Sequence, residues 1–109
     1  MILGIFDRLI LLNVLPKMGD YTTLKLIRVL REELSFSEEE HKALQFQQDG
    51  LSVKWSKEAE QWKDVPIGEK ATDIIVEALK RLNKDKKLTE QHMGIYERFV
   101  VTDSESYGI

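Results

Sequence analysis

Two histidines, His41 and His92, are the side chains here whose ordinary pKa suits proton transfer near neutral pH. A hydrolytic triad would set one of them beside a nucleophile and an orienting carboxylate. A zinc site would hold it in a spacing such as HExxH. Neither pattern is present. His41 follows Glu38-Glu39-Glu40, and His92 follows Thr89-Glu90-Gln91. Both fall in the first turn of an expected helix, where a polar residue is ordinary. The chain has no cysteine, which removes thiolate metal ligands, a cysteine nucleophile and disulfides. No GxxxxGK[ST] or GxGxxG loop occurs among the scattered glycines, so a phosphate cradle has no support. The 19 acidic residues single out no carboxylate pair. No catalytic, cofactor-binding or metal-binding residue is assigned, and the chain is read as non-enzymatic.

Two features could carry binding instead. Lys80, Arg81, Lys84, Lys86 and Lys87 form a basic run broken by one acid, Asp85. Cations at a helix C-terminus complement its dipole, which explains much of this run. A contact with an acidic partner or nucleic acid is the other reading. Trp62 is the second feature. On a regular strand with Val65 and Ile67 facing inward it points outward and becomes a candidate hot spot for a protein partner. A bulge at Lys63 or Asp64 would turn it inward.

The elements that place these residues follow from periodicity. The chain is 109 residues long, enough for one core, with 42% hydrophobic and 32% charged residues, the balance of a folded domain. Residues 4–15 read as a helix apolar on nearly every side, interrupted by Asp7 and Arg8 and ended by Pro16. Such a helix must be covered all round, either as the central core helix or with one face against a second subunit. It is too short to span a membrane and lacks the basic flank of a secretory leader. Residues 22–34 form an amphipathic helix through Leu24, Ile27, Leu30 and Leu34. Ser37 and Glu40 make a capping box for a third, short helix, which accounts for the acidic run.

Asp49-Gly50 reads as a two-residue hairpin turn. That turn pairs Gln48 with Leu51, Phe46 with Val53 and Leu44 with Trp55, and puts Leu44, Phe46, Val53 and Trp55 on one face. Residues 62–67 read as a third strand, held to an edge by Pro66. Residues 69–82 and 90–100 read as helices. The last is capped by Thr89, stapled by Leu88 on Met93, and buried through Met93, Tyr96, Phe99 and Val100. The expected fold is α+β and mostly helical: five helices with a small antiparallel hairpin or three-stranded sheet. Residues 1–101 form the compact domain, and 102–109 a frayed tail.

Three helices followed by a hairpin is the order of a winged helix in the N-terminal two-thirds. The helix at 22–34, the turn at 34–36 and the third helix would be the helix-turn-helix, and the hairpin the wing. The residues oppose DNA binding. The recognition helix would begin with three glutamates, the wing tip has no Arg or Lys, and the net charge is −3. Separately, Leu9-Ile10-Leu11-Leu12-Asn13-Val14-Leu15-Pro16 and Gly68-Glu69-Lys70-Ala71-Thr72-Asp73-Ile74-Ile75 resemble small uncharacterised proteins of tailed bacteriophages and prophages. The resemblance implies a bacterial cytoplasmic setting and no particular activity. The expected function is a protein-interaction, accessory or regulatory one, with an unidentified protein partner and a homodimer through the first helix or the last two. Nucleic acid is the alternative partner, and no membrane or cofactor is expected.

Overall fold

The most apolar segment of the chain becomes the helix on which the rest packs. In the computed structural model, which describes residues 1–50 and 52–101, α1 (Ile5–Val14) lies against α2 (Tyr21–Leu34), α4 (Glu69–Lys84) and α5 (Met93–Phe99). Ile10, Leu11 and Val14 meet Ile27, Leu30 and Leu34 of α2, Ile75 and Leu79 of α4, and Ile95 and Phe99 of α5 in one core. α1 is thus the central helix of the core, with Phe6 on its remaining face left exposed.

Side chains cap two of the helices, of which only the box at 37–40 is expected from the sequence. Asp20 opens α2 by accepting the Thr23 N–H at 2.7 Å. Ser37 and Glu40 close a reciprocal box at the start of α3 (Glu38–Leu44): Glu40 N–H to Ser37 Oγ at 3.1 Å, and Ser37 N–H to Glu40 Oε1 at 2.9 Å.

The hairpin forms with a different register. Strands β2 (Gln47–Asp49) and β3 (Ser52–Lys54) pair Asp49 with Ser52, Gln48 with Val53 and Gln47 with Lys54. The pairing is two residues away from the expected one, and the expected Gln48–Leu51 pair falls partly outside the described residues. Two local causes act together. Gln45 adopts a left-handed conformation (φ 51°) that caps α3, so Leu44 is buried as the last residue of a helix rather than paired in a strand. Gly50 takes the positive φ of 62° beyond Asp49. A shift of two keeps each side chain on its face, because strands alternate with period two. Phe46 and Trp55 therefore still share a side, with ring centroids 6.3 Å apart.

The third strand also forms, but with another partner. β4 (Lys63–Asp64) pairs antiparallel with β1 (Ile2–Leu3), not with the hairpin. The sheet is two separate two-stranded pairs. Leu3 and Val65 carry this second pair into the core.

The C-terminal helix starts with a 3₁₀ turn, Glu90–His92, before α5. Tighter winding rotates the side chains relative to a continuous α-helix. Ile95 consequently enters the core with Phe99 and Val100, whereas Met93, expected inside, is exposed. The expected tail, 102–109, lies outside the described residues.

The end of α4 explains the conformation of the basic run. Lys87 N–H donates to the Leu82 carbonyl at 2.8 Å and Lys86 N–H to that of Asn83 at 3.1 Å. These are the two bonds of a Schellman cap, and they hold Lys86 left-handed at φ 57°. A side chain with a Cβ is disfavoured there by about 1 kcal/mol. Lys86→Gly is therefore expected to raise the unfolding free energy by roughly 0.5–1 kcal/mol. Urea titration of the two proteins checks this, and an unchanged or lower midpoint contradicts it.

Candidate functional site

Arg8 stands in the middle of the apolar helix α1 and is 1% exposed. All three of its guanidinium nitrogens donate hydrogen bonds. Nε donates to the Leu34 carbonyl at 3.0 Å, Nη2 to the Ser35 carbonyl at 2.6 Å, and the fork meets Glu40 Oε2 at 2.6 Å and Oε1 at 3.2 Å. Its Cζ also lies 4.0 Å from the Phe36 ring centroid. The carbonyls at the end of α2 would otherwise lack donors, and a cation suits that end of the helix dipole. One buried side chain thus joins α1, the end of α2 and the first turn of α3.

Glu40 responds to this contact. The Arg8 hydrogen bonds, above all, hold its carboxyl down at about 2, and the Ser37 N–H acts in the same direction. A carboxyl depressed on folding stabilises the fold at pH above its unfolded pKa, near 4.5, and loses that contribution as pH falls toward 2. Glu40 is partly exposed and water screens the pair, so the loss stays well under the full value of the shift, on the order of 1 kcal/mol. Unfolding free energies measured from pH 6 to pH 2.5 should fall along this course, and Glu40→Gln should flatten the part of the decline below pH 4.5. An equally steep decline in that variant contradicts the assignment.

Beyond Arg8 a string of aromatic rings runs outward. Phe36 meets Phe46 edge-on with centroids 5.0 Å apart, and His41 meets Phe46 at 5.6 Å. Phe46 meets Trp55 at 6.3 Å, and Trp55 stacks with Phe6 of α1 at 6.4 Å and 27° between planes. Such pairs add specific geometry to their apolar burial. The string ends at an open groove of about 510 Å³ between α1 and the hairpin. Phe6, Leu9, Ile10, Val53 and Trp55 form its apolar lining, and Lys54 and Lys57 its charged one. Lys57 Nζ lies 3.9 Å from the Trp55 ring centroid. The Trp55 indole N–H is buried and has no acceptor among the described residues.

The residues expected to bind lie elsewhere. Trp62 is exposed, at 71%, which resolves the two readings of its strand in favour of regular alternation. Its ring rests over Gly4, where a Cβ would come within 3.3 Å of it. Lys80, Arg81, Lys84, Lys86 and Lys87 are all exposed around the end of α4, and none of them forms an ion pair among the described residues. Trp62 lines no part of the aromatic groove, nor do these five cations. His92 accepts the Thr89 N–H through Nδ1 at 2.9 Å, and His41 belongs to the aromatic string.

The elements named for a winged helix are present in order, but β1 pairs with β4 rather than with the hairpin. Sequence reasoning found the aromatic face of the hairpin and missed the groove. Nothing in the spacing of Phe6 on an all-round apolar helix reveals that it turns toward Trp55. Compared with known protein families, curated proteins and solved structures, the chain matches none.

Proposed function

We propose that this chain is a non-enzymatic protein-interaction or accessory module that holds a peptide segment of its partner in the groove between α1 and the β2–β3 hairpin. The observation carrying this reading is the groove itself. It offers an apolar floor with Phe6 still 40% exposed and the stacked Trp55 beside it. Aromatic residues of this kind, partly desolvated and rigidly held, dominate interface energetics. The phage or prophage setting implied by the resemblance belongs to the same proposal.

Selection from a displayed library of random twelve-residue peptides tests it. The wild type should enrich peptides that a folded Phe6→Ala/Trp55→Ala variant does not. Equal recovery by both proteins overturns the groove as the binding surface.

The exposed run Lys80, Arg81, Lys84, Lys86 and Lys87 favours the second reading, a winged-helix-like DNA-binding protein. Three features weigh against it. The first turn of α3 is acidic, with Glu40 already held by Arg8. The described hairpin residues at the tip carry no cation between Gln47 and Gly50. Part of the basic run completes the cap of α4. Titration with mixed-sequence duplex DNA at low salt separates the readings. Salt-sensitive binding, lost when the five cations are changed to Glu, would favour DNA.

A further inference from the structure

We infer that the segment received by the groove is an acidic peptide with one large apolar anchor, an inference that rests on the interaction-module reading above. Charge complementarity selects this occupant. The groove is lined by two ionisable residues, Lys54 and Lys57, and by no carboxylate. That is notable in a chain whose net charge is −3. The cleft between α2 and the start of α4 mixes Glu33 and Glu69 with Lys70, and the cleft beside α3 carries Glu39 and Glu40.

The two cations are available in different degrees. Lys54 reaches Asp49 at 3.2 Å, an exposed ion pair that restrains it weakly. Lys57 forms no ion pair among the described residues and rests its ammonium on the Trp55 face. A partner carboxylate would add a counter-ion that the groove itself lacks. Between the lysines and α1, Phe6, Leu9 and Val53 receive the apolar anchor. The arrangement matches an amphipathic segment laid in a groove, with its apolar side down and its charges at the rim.

Single-stranded nucleic acid is the competing polyanion. It binds by stacking bases on free aromatic faces along a positively charged track. Here one Trp55 contact is taken by Lys57 and another by Phe6, and two cations make a short track.

The test reads the charge of what the groove selects. Peptides recovered by the wild type and not by Phe6→Ala/Trp55→Ala should shift from the near-neutral input to a mean net charge of about −2 or lower. Synthetic copies should bind Lys54→Glu/Lys57→Glu about tenfold more weakly, and high salt should narrow that gap. Groove-dependent peptides without a charge bias overturn this inference and leave the interaction module standing. A bias that survives in Lys54→Glu/Lys57→Glu overturns it equally. Failure to recover any groove-dependent peptide removes both. A labelled twelve-nucleotide oligothymidine is expected not to bind. Salt-sensitive binding that the lysine variant abolishes would reassign the groove to single-stranded nucleic acid.

Discussion

Arg8→Ala is expected to lower the unfolding free energy by about 3–5 kcal/mol, a large part of the stability of a domain this size. The reason is the unequal balance of an ion pair whose cation is buried. Its net contribution is small, because desolvating the ions offsets their attraction, but removing one partner strands the rest. Here the stranded groups are the Glu40 carboxylate and the Leu34 and Ser35 carbonyls, all of which accept from Arg8. Arg8→Lys should recover little of the loss, since an ammonium cannot present the planar fork that meets both Glu40 oxygens. Arg8→Met should fall between the two by refilling volume without charge. Urea unfolding of the three variants checks the order. A loss below 1 kcal/mol for Arg8→Ala would mean that Glu40 and the end of α2 find water readily, and that α3 is not tied down through this contact.

Leu11→Ala is expected to cost about 2–5 kcal/mol. Leu11 is fully buried on α1, the helix that touches α2, α4 and α5, so the cavity it leaves cannot be closed by moving one neighbour. Val29→Ala supplies the contrast. Val29 is exposed on α2, and its truncation should stay within about 0.5 kcal/mol. Calorimetric or denaturant unfolding of both reads the difference directly. Similar losses for the two would mean that α1 is not the centre of the core.

Phe6 sits on the same helix and is expected to behave differently from Leu11. It faces the groove and is substantially exposed, so its truncation should affect binding more than folding. That separation of effects makes the groove variants useful probes. A protein that keeps its melting transition and loses its peptide has lost a surface, not a fold.

Local chemistry was legible wherever one short segment decides. The 37–40 capping box and the helix expected over 69–82, found as Glu69–Lys84, follow from spacing, because the groups that interact lie within one or two turns. The mostly helical α+β class and the existence of a hairpin near Gly50 were legible for the same reason. The face of the hairpin was legible too, since period two survives a register shift of two. The register was not. It depended on Gln45 taking a left-handed cap, a choice made between α3 and the strand that follows it.

Only the tertiary structure decided what Arg8 does. In the sequence it is a charge interrupting an apolar run. Its three kinds of partner lie 26 to 32 residues away and become neighbours when α1 crosses the end of α2. The pairing of β4 with β1 joins residues at least 60 apart. The groove is of the same kind, assembled from Phe6 and Trp55 on elements that no periodicity links. Short-range hydrogen bonding and alternation are written in neighbouring residues. Contacts between distant ones are selected by packing the whole core, and they leave no spacing in the chain to read.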